Sequence, residues 1–161
     1  MECLDNKKLK FPGRVVSVFK SDEPNSFVHG VAFKIPKADE EIVKQRLVER
    51  ERGYDAIETV FYPIDDSSCV KEDRIVLEIF VSNESGSLYL GAASERDIAW
   101  QIYHSKGING SNLDYFLRLT HSYRQCFPSH SDLHLEQIEQ EVCKIAAEKG
   151  DSLEQLIGQI Q

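Results

Sequence analysis

Leu47-Val48-Glu49-Arg50-Glu51-Arg52-Gly53-Tyr54-Asp55-Ala56-Ile57-Glu58-Thr59-Val60-Phe61-Tyr62-Pro63 is the stretch from which the rest of the chain can be read. Upstream, from Asp39 to about Arg50, Ile42, Val43 and Leu47 recur at helical spacing. Downstream, Ile57, Val60 and Phe61 supply the β-branched and aromatic residues of a strand. Gly53 stands where one period gives way to the other and should end the helix. A carboxylate at such a junction can project from the end of a rigid element into a cleft, and Glu51 is the candidate. Glu49, Arg50, Glu51 and Arg52 equally suit a solvated helix end, because exposed ion pairs are common and weak.

Working outward, Phe11-Pro12-Gly13-Arg14 reads as a turn into a strand over 14–20. A second strand is expected over 27–35, where Phe27, His29, Val31, Phe33 and Ile35 alternate onto one face. Pro36 closes it, and Asp39 should cap the helix over 39–50. Further strands are expected over 55–62 and 74–82, the latter strongly apolar. The pattern then switches. Ser94-Glu95-Arg96-Asp97 matches a capping box and starts a helix over 94–105 bearing Ile98, Ile102 and Tyr103. Helices are expected over 112–124, with Leu113, Phe116, Leu117 and Tyr123 inward, and over 133–148, with Leu135, Ile138, Val142 and Ile145 inward. Gly150 should stop the latter, and Asp151 should cap a last helix over 152–160. Strands first and helices after point to α+β rather than alternating α/β.

Composition narrows the function. The chain has 161 residues, long enough for a core, and its net charge is −8. No basic stripe with interleaved aromatics argues for nucleic acid or an anionic membrane surface as partner. No apolar run is long enough to span a bilayer, and Met1–Lys10 holds no signal core, so a cytoplasmic location is the default expectation. Cys3, Cys69, Cys126 and Cys143 form no Cys-x-x-Cys, which gives no sign of a zinc cluster and favours reduced thiols. His130 and His134 flank Asp132 and could offer two metal ligands, but a capping region with a packed His134 explains them as well. Ser17, Ser26 and the histidines suggest no catalytic triad.

Several segments together carry a resemblance. Phe11-Pro12-Gly13-Arg14-Val15-Val16, Gly30-Val31-Ala32-Phe33-Lys34-Ile35-Pro36, and Arg50-Glu51-Arg52-Gly53-Tyr54 resemble successive motifs of the ChaC-type γ-glutamylcyclotransferases. Phe61-Tyr62-Pro63, Tyr89-Leu90-Gly91, Ile98-Ala99-Trp100-Gln101-Ile102, Asn112-Leu113-Asp114-Tyr115-Phe116 and Asp132-Leu133-His134-Leu135 continue in the family's order. The resemblance implies a γ-glutamylcyclotransferase-like mixed β-barrel or sheet flanked by helices, with a helical C-terminal part. It implies cleavage of glutathione to 5-oxoproline and cysteinylglycine, with no metal or organic cofactor required. The family's acid-base glutamate falls on Glu51, and its tyrosine in the Asn-x-x-Tyr helix start falls on Tyr115, a candidate substrate contact.

Elementary chemistry agrees with that placement. The substrate's own α-amine attacks its own γ-carbonyl, so the enzyme need supply only a folded substrate and proton management. One carboxylate can take the amine's proton and return it to the leaving amine.

The family opens on a strand followed by Tyr-Gly-Ser-Leu, which holds the glutamyl end of the substrate. No such motif stands near the start of this sequence, and Gly86-Ser87-Leu88 reads as a coincidence in a loop. The expected organisation is one γ-glutamylcyclotransferase-like domain over 1–161, N-terminally truncated relative to the family. Two functions are therefore expected to compete: the cyclotransferase, and a non-catalytic truncated or regulatory form that keeps the fold without binding substrate. On its own the chain is expected to release little 5-oxoproline.

Overall fold

A computed structural model describes residues 12–64, 75–107 and 110–152. They fall into two compact units, one of residues 16–89 and one joining residues 12–15 to everything from Leu90 onward.

In the first unit, helix α1 spans Glu40–Arg50, strand β1 Asp55–Phe61 and strand β2 Ile75–Val81. The strands pair antiparallel, from Asp55 opposite Val81 to Phe61 opposite Ile75. This register sets Ile57 against Ile79, Val60 against Val76 and Phe61 against Ile75, apolar cross-strand pairs of the kind that stabilise a ribbon. Among the described residues of this unit, Val81 is the one fully buried hydrophobic side chain, and α1 buries none.

Three expectations fail, two strands and one cap. Residues 14–20 and 27–35 carry no strand. A strand exists through its ladder, and alternation alone does not supply a partner. The Ser82 N–H donates to the Val18 carbonyl at 2.7 Å without building a ladder. The alternating face is not buried either, since Phe27 is 80% and Phe33 85% exposed. Asp39 precedes α1 without a side-chain capping bond. Its φ of −105° and ψ of −4° lie in the helical region, whereas a capping side chain reaches back over the first turn from an extended backbone.

The second unit contains helix α2 (Glu95–His104), a minimal hairpin of β3 (Lys106–Gly107) and β4 (Gly110–Ser111), helix α3 (Asn112–Cys126) and helix α4 (Leu133–Lys149). Here the sequence signals are realised bond by bond. Ser94 Oγ accepts from the Asp97 N–H at 3.2 Å, capping α2, and donates to the Asp97 carboxylate at 2.7 Å. Asp132 accepts from the Leu135 N–H at 2.9 Å and starts α4, which ends on Gly150. Ile98, Ala99 and Ile102 of α2 pack with Leu113, Phe116 and Leu117 of α3 and with Ile138, Val142 and Ile145 of α4. Among the described residues Ile145 and Val142 are the largest side chains fully enclosed. Arg96 joins α2 to α4 outside this core through Glu148 and Glu141.

The α+β class holds, with helices dominating after residue 94. Among the described residues the β part is two antiparallel pairs and not a closed barrel, because 14–20 and 27–35 contribute no ladder. The expected helix over 152–160 lies, beyond Ser152, outside the described residues. No helix among them is long and apolar enough to cross a membrane.

Candidate active site

Glu51 occupies the end of α1. Its N–H donates to the Leu47 carbonyl at 2.8 Å, the last bond of the helix, and its own carbonyl accepts from the Tyr54 N–H at 3.1 Å. The backbone is thus held on both sides of the side chain. Gly53 makes the reversal into β1 possible: its φ is +92°, and a Cβ there would stand 3.1 Å from Leu88 Cδ1. The Ser85–Leu88 loop therefore lies against this turn, a contact that nothing in the linear sequence announced.

The Glu51 side chain is 27% exposed, whereas Glu49 faces solvent. Arg50 brings its Nε to 3.5 Å from a Glu51 carboxylate oxygen. That guanidinium is 84% exposed, so water weakens the attraction. The local geometry is that of a carboxylate with restricted backbone, partial shelter and a weakly competing cation.

Tyr115 belongs to the other unit and is half-buried on the first turn of α3. The start of that helix is unusual. Ser111 stands at the capping position without a side-chain bond. Asn112, the first helical residue, does not cap but clamps the segment at 12–15. Its Oδ1 accepts from the Arg14 N–H at 2.7 Å, and its Nδ2 donates to the Arg14 carbonyl at 2.7 Å. Gln101 of α2 grips the same segment, donating to the Pro12 carbonyl at 2.7 Å and accepting from Arg14 Nε at 2.8 Å. Arg14 Nη1 reaches the Gly91 carbonyl at 3.0 Å, and Ser105 Oγ donates to the Pro12 carbonyl at 3.2 Å. A Cβ on Gly13 would stand 3.0 Å from the Asn112 amide, so a larger residue there would press on the clamp. Four of the segments that carried the resemblance, around Pro12–Arg14, Gly91, Gln101 and Asn112, are thereby joined in one hydrogen-bond network. Each was legible alone as a matching fragment. Their common purpose was not, because Arg14 and Asn112 are 98 residues apart.

The remaining candidates recede. The Asp132 carboxylate serves as a helix cap. His134 is not packed as expected but 61% exposed, 3.6 Å from Glu95. Among the described residues no group of three or more His, Cys, Asp or Glu side chains converges as metal ligands would. Cys126 and Cys143 are free thiols. Partial burial, and then the Glu139 charge, push the Cys143 thiol up, which disfavours the reactive thiolate. Cys3 and Cys69 lie outside the described residues.

Comparison with known proteins bears on the whole chain. Residues 6–145 match the family described as ChaC-like protein. The glutathione-specific gamma-glutamylcyclotransferase 1 of Rattus norvegicus is 35% identical over 132 residues, covering 80% of this chain and 57% of that protein. Its Homo sapiens counterpart is 34% identical over 132 residues, with the same coverage of 80% and 57%. Gamma-glutamylcyclotransferase 2-3 of Arabidopsis thaliana is 32% identical over 141 residues, covering 86% of this chain and 69% of that protein. The chain spans little more than half the length of the mammalian relatives it matches. With most of its length matched and the order of the segments kept, this chain belongs to the ChaC-like family.

Proposed function

We propose that this protein is a γ-glutamylcyclotransferase acting on glutathione, working as one domain over 1–161 with Glu51 as its general acid-base and Tyr115 in contact with substrate. The observation that carries the reading is the half-sheltered Glu51 carboxylate on a turn whose backbone is bonded on both sides. The names of the relatives support the substrate.

The chemistry follows from that group. Glu51 takes a proton from the α-ammonium of the γ-glutamyl moiety. The freed nitrogen attacks the γ-carbonyl carbon and closes a five-membered lactam. The bond from that carbon to the cysteine nitrogen breaks as Glu51 returns its proton to the departing amine, and the ring nitrogen gives up a second proton, which ends on the departing amine as its ammonium. Atoms and charges balance with no water consumed: glutathione gives 5-oxoproline and cysteinylglycine. The protein's main task is to hold the substrate folded, since well-aligned intramolecular attack gains about 7–11 kcal/mol over the untethered reaction.

The test is product identity. The longest product the gene encodes is incubated with glutathione and the products are measured by mass spectrometry. The reading expects 5-oxoproline and cysteinylglycine in equal amounts. Free glutamate in place of 5-oxoproline would mean hydrolysis, and no cleavage would mean a non-catalytic member of the family; either result overturns the reading.

A further inference from the structure

We propose that Asn112 is a positioning residue that sets the place of Tyr115 through its clamp on the backbone of Arg14. The role assigned to Tyr115 rests on the cyclotransferase reading above; the mechanical coupling does not.

Asn112 is 8% exposed, and its amide makes both available kinds of hydrogen bond, one accepted and one donated, to a single residue's backbone. An ordinary helix start would be fixed by the residue before it, but Ser111 makes no such side-chain bond. The first turn of α3 is held instead by this clamp and by the Asn112 N–H, which donates to the Ser105 carbonyl at 3.0 Å. Tyr115 lies three residues on, on the same side of that turn, so a shift of Asn112 carries Tyr115 with it. The clamped segment is itself immobilised by Gln101 and Ser105, which gives the clamp a firm base. Leu113, Phe116 and Leu117 anchor α3 in the core, so a change at residue 112 should move the first turn and leave the helix in place.

The experiment combines two readouts on the full chain. First, tyrosine rings are labelled with carbon-13 and the Tyr115 resonance is assigned by Tyr115→Phe. Asn112→Asp keeps the acceptor and loses the donor; Gly13→Ala pushes on the same amide from the other side. Both should shift the Tyr115 ring resonance while the melting curve stays cooperative. If Asn112→Asp does not fold, Gly13→Ala decides. An unmoved Tyr115 resonance in a folded variant overturns the proposal.

Second, glutathione kinetics are measured, on the longest product the gene encodes, for Asn112→Asp, Tyr115→Phe and the double variant. Asn112→Asp should raise KM roughly tenfold, the scale of one lost buried hydrogen bond, with a smaller change in kcat. In the Tyr115→Phe background that effect should largely vanish, because the group being positioned is gone. Effects that multiply independently would overturn the coupling. If the wild type turns over no glutathione, the functional reading fails by itself, and the ring resonance alone decides whether Asn112 positions Tyr115.

Discussion

The two units of this chain use their apolar residues in opposite ways. From Leu90 onward they interlock: Ile98, Ile102, Phe116, Leu117, Val142 and Ile145 fill the space between three helices. Among the described residues of 16–89 many lie open, with Phe27, Phe33, Val48 and Tyr62 each at least two-thirds exposed. Yet Glu51, the candidate acid-base, belongs to the open unit, while Tyr115 belongs to the packed one. The contrast teaches that the catalytic candidate owes its position to local backbone bonds around one turn. The candidate substrate contact owes its position to a core and a long-range clamp.

Substitutions can break or sharpen this contrast. The largest stability effect should come from Ile145→Ala, which empties a fully enclosed site and should cost about 2–5 kcal/mol in denaturant titration. Phe33→Ala removes more carbon but from an exposed position, and should change stability by less than about 0.5 kcal/mol. Comparable losses at the two positions would mean that the first unit has a core of its own.

The helix caps offer a smaller contrast. Asp132→Ala should cost about 1 kcal/mol, since its carboxylate holds the Leu135 N–H. Asp39→Ala should cost close to nothing, as no such bond exists there. Equal destabilisation would show that α1 is capped after all.

The smallest effect is confined to high pH. Burial first, and then the hydrogen bond to Asp151, push the Tyr103 hydroxyl up to about 12. The folded state therefore holds this proton more tightly than the unfolded chain, whose tyrosines ionise near 10. The associated stability is complete below that value and is lost as pH rises from about 10 to about 12. Ultraviolet titration should show a late phenolate that moves earlier in Asp151→Asn. An unchanged titration would remove Asp151 as its partner.

Much of the second unit was legible because its helices bury the faces their periodicity marks. Ser94, Asp132 and Gly150 bound them as capping chemistry dictates. The ribbon of β1 and β2 was legible for a similar reason, each strand being the other's partner. The expected strands over 14–20 and 27–35 fail because a ladder partner is a property of the whole fold, not of the segment. Of the two candidate site residues, Tyr115 was picked out by the family resemblance, whereas Glu51 at a helix end could be picked from local pattern. The Arg14–Asn112 clamp could not, because it joins a turn to a helix start 98 residues away through an amide that local rules would read as a cap.

The most direct test of the central claim compares two carboxylates two residues apart on the same helix end. Release of 5-oxoproline from glutathione is measured for the longest product the gene encodes, as the wild type, Glu51→Gln and Glu49→Gln, with melting curves to confirm folding. Glu51→Gln keeps the shape of the side chain but cannot exchange the proton, and should lower the rate by about 10²–10⁴-fold at unchanged stability. Glu49, exposed in the last turn of α1, should tolerate the same change with little loss. Equal losses at both positions, or an active Glu51→Gln, would contradict the assignment of Glu51 as the acid-base.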